Sequence, residues 1–160
     1  MKILLILWCV LVVIGCQEKK GAGKGQLPSI DLLLTDSLTH INTKAVRKGN
    51  PVALLYFSPD CEHCQQETKS IIHHMNSLQE IHFYFITNDP LERAKVFISV
   101  FHLERYSNII IGVDDRFQFP RVFNGAVPPY LVLYDSNLDL VHIFDGETEV
   151  GKIITLIKTL

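Results

Sequence analysis

An α/β domain, with a mixed central sheet and helices on both faces, is predicted by the order of apolar segments. Three features carry this prediction. Two fully apolar runs, VALLYF at 52–57 and IHFYFI at 81–86, have the continuous character of strands buried on both sides. Between them Ile71, Ile72, Met75 and Leu78 recur at helical spacing, and a helix joining two strands implies a parallel crossover. Farther on, two apolar stretches flank Asp135-Ser136-Asn137, which reads as an antiparallel hairpin with turn chemistry at its tip.

The elements follow in order. Residues 27–35 are mostly apolar and predict an extended entry strand. The strand at 52–57 stops at Ser58-Pro59-Asp60, and a helix opens at the cysteines and runs to about residue 79. After the strand at 81–86, Asn88-Asp89-Pro90 forms a turn and starts a second helix, from 91 to about 103. Residues 108–113 read as a short strand or an extended link, and 114–123 as one or two helical turns. PYLVLY at 129–134 and the stretch 140–144 make the hairpin. Val150, Ile153, Ile154, Ile157 and Leu160 mark a final amphipathic helix. The three phenylalanines Phe117, Phe119 and Phe123 read as packing residues, with the lining of a partner groove as the alternative, and the scattered His40, His82, His102 and His142 as surface or satisfied structural groups rather than ligands.

The 160 residues suffice for one domain with its own core, and 48% hydrophobic with 20% charged residues is a globular composition. A net charge of −2 and the lack of a basic block give no footing for nucleic acid. The start is different. After Met1-Lys2 comes an unbroken apolar run at 3–14, too short for the roughly 20 residues of a spanning helix but suited to a secretory signal. It ends in Val13-Ile14-Gly15-Cys16, which resembles a bacterial lipobox. That resemblance implies cleavage before Cys16 and lipidation of its sulfur. Residues 17–26, QEKKGAGKGQ, are polar and glycine-rich, a flexible tether spanning roughly 17 Å. The expected organisation is a lipoprotein signal peptide at 1–15, the lipidated cysteine and tether at 16–26, and the domain at 27–160. The chain is then expected outside the cytoplasm of a bacterial cell, lipid-anchored in the envelope at its periplasmic face.

Cysteine use narrows the chemistry. Of four cysteines, Cys9 falls in the signal and Cys16 is the lipid site, which leaves Cys61 and Cys64. Export places this pair where disulfides persist. A four-residue loop constrains too little for a structural role. Cys61-Glu62-His63-Cys64 follows a buried strand and opens a helix, where unpaired N–H groups and about half a positive charge favour a thiolate at Cys61. Cys64, nearly one turn on, can resolve a mixed disulfide formed at Cys61. Glu62 and His63 between them are the candidate tuners of the redox poise, with opposed charges.

A second motif, Val127-Pro128-Pro129-Tyr130, precedes the strand at 129–134. Together with the Cys-x-x-Cys at a strand-to-helix turn, it resembles the thioredoxin superfamily over most of 27–160. The resemblance implies a thioredoxin-like fold with a cis-proline beside the cysteine pair, matched here to Pro128. It also implies that Val127 offers backbone hydrogen bonds to a bound chain, and that Pro128 keeps metal off the dithiol. The anchor and the entry segment are similar to membrane-anchored thiol–disulfide reductases of the TlpA type. Two departures stand out. Asp60 occupies the position before the first cysteine where that family often has an aromatic residue. Leu55 replaces the buried acid six residues before it, leaving Glu67 and the histidines as candidate proton carriers.

The expected activity is thiol–disulfide exchange on exported proteins, in the reducing direction, needing no cofactor. Protein thiols and disulfides are the partners, and a separate membrane protein supplies electrons. The alternatives are a non-catalytic binding module on the same fold and a copper-delivery protein. A zinc site lacks its second cysteine pair. A peroxidase would carry threonine and proline where this chain has Ser58 and Leu54.

Overall fold

The computed structural model describes residues 25–159. The proposed signal, Cys16 and all but the end of the tether lie outside the described residues. Gln26 bridges to Asp139 and the Leu27 amide bonds to the Leu138 carbonyl at 3.0 Å, so the chain enters the domain beside the C-terminal hairpin.

Seven strands form one sheet. β1 (Asp31–Leu34) and β2 (His40–Asn42) make an edge hairpin. Asp36 closes its turn by accepting from the Leu38 and Thr39 amides at 3.0 and 2.8 Å. A bond from the Thr39 hydroxyl foremost, and then these two from the amides, hold the Asp36 carboxyl down to about 2. β3 (Val52–Tyr56) leads into α1 (Glu62–His73), then β4 (His82–Thr87), α2 (Leu91–Phe101), β5 (Ile109–Val113) and α3 (Gln118–Val122). β6 (Tyr130–Tyr134), β7 (Leu140–Asp145) and α4 (Val150–Ile157) complete the chain. The spatial order is β2-β1-β5-β4-β3-β6-β7, with β3, β4 and β5 mutually parallel and the other pairs antiparallel.

β3 is an interior strand, between β4 and β6, and its side chains serve two cores. Ala53 and Leu55, followed by Phe57, face a layer with Ile71 of α1, Phe97 of α2 and Ile153 of α4. Val52, Leu54 and Tyr56 face the opposite layer with Leu32, Phe119 and Phe123. A strand covered on both faces gains nothing from a polar alternate, which explains the unbroken apolar run. α1 and α2 follow strands that step the same way across the sheet, so right-handed crossovers place both on one face. α3 covers the other face.

Several boundaries differ from the expectation. α1 ends at His73 rather than near residue 79, because His74 leaves helical geometry at φ −100°, ψ 13°, and a single 3₁₀ turn at Met75–Ser77 carries the apolar period onward. α2 stops at Phe101, where His102 turns left-handed at φ 51°. Residues 109–113 are a true strand, paired with β4 from Phe83↔Ile109 to Thr87↔Val113. Phe119 and Phe123 are core residues, but Phe117 is 56% exposed and stands apart from that packing.

Gly112 of β5 lies against β1, and a Cβ there would fall 2.7 Å from the Leu32 Cβ. Both residues are strand positions held by the sheet and cannot swing away. Gly112→Ala should therefore destabilise the fold by about 1–3 kcal/mol, the usual range for overpacking. Urea unfolding measures this, and an unchanged midpoint would show that β1 yields.

Candidate active site

The turn that leaves β3 is tied down at each residue. The Phe57 amide donates to the Ile86 carbonyl at 2.9 Å, and the Ser58 hydroxyl to Asp89 at 2.8 Å. The Cys61 amide bonds back to the Ser58 carbonyl at 3.1 Å. Asp60 pairs with Arg93 of α2, which also reaches Asp89 at 3.4 Å. Gln65 donates to the Pro59 carbonyl at 2.9 Å. These contacts fix where α1 begins.

α1 begins on the first cysteine. Cys61 is its N-cap residue, and the amide of Cys64 points at the Cys61 sulfur at 3.4 Å. The sulfur thus takes the place that a serine or aspartate oxygen holds in an ordinary cap. The cap sets that sulfur at the positive end of α1. Cys61 is half-buried, whereas Cys64 is fully buried. Burial first, and the bond to Cys61 next, push the Cys64 thiol far above its ordinary range. Both cysteines are free thiols. The pair is thus asymmetric, with one accessible sulfur and one protonated sulfur behind it.

One turn beyond Cys64 sits Glu67, 1% exposed. Burial raises its carboxyl to about 7. Thr148, just before α4, opposes part of that rise, although neither Glu67 oxygen makes a well-formed hydrogen bond among the described residues. Spacing of three along α1 places Glu67 beside Cys64, and its charge is among the influences that raise the Cys64 thiol. The structure therefore distinguishes Glu67 from the histidines, of which His73 and His74 are exposed.

His63 and Glu62 are both exposed at the helix start. Glu62 accepts from Gln66 at 3.2 Å. His63 does not stand free: its Nδ1 lies 2.6 Å from an oxygen of Glu147, in the loop between β7 and α4. Sequence reasoning missed both Glu147 and Thr148. They lie some 80 residues from the cysteine motif, in a loop with no motif of its own.

The cis peptide bond joins Pro128 to Pro129, so the cis residue is Pro129 and not Pro128 as the sequence comparison placed it. The reason for the offset lies in the strand. β6 starts at Tyr130, paired with Tyr56 and Asp145, and Pro129 is the buried residue immediately before it. Counting Pro129 as strand pushes the expected position back by one. Val127 is 68% exposed on the approach to this turn. On the other side of the cysteines a groove of about 410 Å³ runs along α2, lined by Pro59, Asp60, Arg93, Val96, Phe97 and Val100.

A mixed seven-stranded sheet flanked by helices, with a Cys-x-x-Cys at the start of the helix after the interior strand β3, is a thioredoxin-like fold. Solved structures with the same fold include redox proteins of several kinds. The chain is similar to a secreted Mycobacterium tuberculosis disulfide oxidoreductase homologous to E. coli DsbE, at 15% identity and TM-score 0.67, over 81% of this chain and 95% of that one. A thioredoxin-like protein from Aeropyrum pernix matches at 19% identity and TM-score 0.66, over 82% and 89%. The peroxidoxin BcpB of M. tuberculosis matches at 13% identity and TM-score 0.70, over 86% and 97%. No protein-family model matches the chain, and no curated protein does. At these identities the likeness establishes the fold.

Proposed function

We propose that the chain is a thiol–disulfide oxidoreductase in which Cys61 is the nucleophile and Cys64 the resolving thiol. The observation that carries this is the asymmetry of the pair: Cys61 caps α1 with its sulfur, and Cys64 is buried behind it with its proton held on. In the reducing direction the Cys61 thiolate attacks a partner disulfide, forming a mixed disulfide and releasing one partner thiolate. Cys64 then gives its proton to the Glu67 carboxylate and attacks the Cys61 sulfur. The second partner thiolate leaves, and the chain is left with a Cys61–Cys64 disulfide, two electrons poorer. Glu67 suits this step because a carboxyl near 7 exchanges protons readily at neutral pH.

Val127 and Pro128, the two residues before the cis Pro129, are the proposed contacts for a bound polypeptide, Pro128 through its carbonyl alone and Val127 already exposed. Glu62 and His63 are the proposed tuners of the potential. The substrates are exported proteins, and a separate membrane protein returns the electrons. Lipidation at Cys16, which the lipobox-like Val13-Ile14-Gly15-Cys16 supports, holds the domain at the envelope surface.

The test is a redox titration of the purified chain against glutathione and then dithiothreitol. A reversible two-electron disulfide near about −270 mV, thioredoxin's value, is the expected result. A value near about −120 mV would reverse the direction and make the chain an oxidant. Failure to form any reversible disulfide would sink the exchange reading.

A further inference from the structure

The exchange reading leaves the loop 146–149 without a role, yet this loop touches the site twice. Glu147 meets His63 at 2.6 Å, and Thr148, buried at 5% exposure, sits by Glu67. Gly146 fixes the entry, with φ at 93° and its amide bonded to the Pro129 carbonyl at 3.0 Å. A left-handed φ of this size suits glycine. The loop is thus anchored at the start of β6 and delivers two consecutive side chains to the helix that carries the cysteines.

A histidine nitrogen that faces a carboxylate must carry the hydrogen, because the carboxylate only accepts. With Nδ1–H directed at Glu147, the basic nitrogen of the neutral ring is Nε2. The charged groups on the elements that meet here are Glu62, Glu67 and Lys69 on α1, Asp145 at the end of β7, Glu147 and Glu149 in the loop, and Lys152 on α4. Glu149 is engaged by Lys152 at 3.4 Å. Glu147 is the one that meets the ring.

We propose that Glu147 is a positioning residue of the redox centre, holding the His63 ring by Nδ1 at the start of α1, between the two cysteines, so that the ring's orientation there tunes Cys61. This rests on the exchange reading above. No electrons move until the Cys61 thiolate attacks a disulfide. The negative charge of Glu147 also contributes to the raised carboxyl of Glu67, so the same residue bears on both His63 and Glu67.

The pair is exposed, 69% for the His63 side chain and 39% for Glu147, so its removal should leave stability unchanged within error. Its effect should show at the ring and at the sulfur. In the full chain labelled with ¹⁵N-histidine, long-range ¹H–¹⁵N correlation distinguishes the two tautomers, and a His63→Ala spectrum assigns the signal. The expected result is an Nδ1–H ring in the unaltered reduced chain, lost in Glu147→Ala and retained in Glu147→Gln, which keeps an acceptor oxygen. Alkylation of Cys61 at pH 7 should slow about fivefold in Glu147→Ala, the upper range for one exposed charged pair. It should not slow further when Glu147→Ala is added to His63→Ala. An Nε2–H ring in the unaltered chain, a tautomer indifferent to Glu147→Ala, or the same slowing in the His63→Ala background would each overturn the proposal. If the redox titration succeeds and the tautomer does not respond, this inference alone fails. If no reversible disulfide forms, the reading beneath it fails.

Discussion

Cys64→Ala should convert the chain into a trap that accumulates a mixed disulfide at Cys61. The accessible sulfur caps α1 and is held in place by the turn from Ser58, so attack on a partner disulfide does not require Cys64. Release does. In the native chain the Cys64 amide lies 3.4 Å from the Cys61 sulfur, and the Cys64 thiol on the same residue acts as an intramolecular group. Well-oriented intramolecular groups reach effective molarities of about 10⁵–10⁸ M, which millimolar free thiol cannot replace. Mass spectrometry after mixing the reduced variant with a peptide disulfide should find stoichiometric adduct on Cys61. The unaltered chain should instead show the internal disulfide and no lasting adduct. An adduct on Cys64 in Cys61→Ala, or none in Cys64→Ala, would reverse or remove the assigned roles.

Glu67→Gln should make the chain more stable at pH 8 while slowing closure of the internal disulfide. The stability effect follows from the raised carboxyl. A glutamate at 4.5 when unfolded and about 7 when folded binds its proton more tightly in the folded state. Between those two values the unfolded chain releases the proton first, so stability falls as pH rises from about 4.5 to 7 and then levels. The accumulated loss is about 3 kcal/mol, at about 1.36 kcal/mol per unit. The amide introduced by Glu67→Gln carries no charge to desolvate, and so the variant should lack this fall. Chemical denaturation at pH 5 and pH 8 measures it: the variant gains about 3 kcal/mol relative to the native chain at the higher pH and little at the lower. Loss of the carboxylate also removes the base for Cys64, so the mixed disulfide should decay more slowly, with its dependence on pH near 7 abolished. An equal stability change at both pH values would mean that Glu67 acts by packing, and an unchanged decay would assign the proton to another group.

These two residues show how far local sequence reaches. Cys61 and Cys64 were legible because a strand run, a turn and a helical period are all local patterns, and together they locate a helix N-terminus without any knowledge of packing. β3, α1 and β4 were legible for the same reason, as was the hairpin of β6 and β7. β2 was not, since three residues with one apolar member, Ile41, display no period. The helix ends at His73 and Phe101 were set by backbone geometry at His74 and His102, where the apolar spacing continues past the break.

By itself, then, the sequence determined the α/β class, the order of most elements and the position of the dithiol, because each of these is written in residues a turn or a strand apart. Tertiary structure decided the environment of that dithiol. It buried Glu67 next to Cys64 and raised its carboxyl, put the cis-proline before β6 at position 129, and brought Glu147 onto His63 from 84 residues away. Burial and long-range pairing depend on which surfaces meet when the sheet closes between its two helix layers. No local pattern encodes that meeting, and the proton chemistry of the site depends on it.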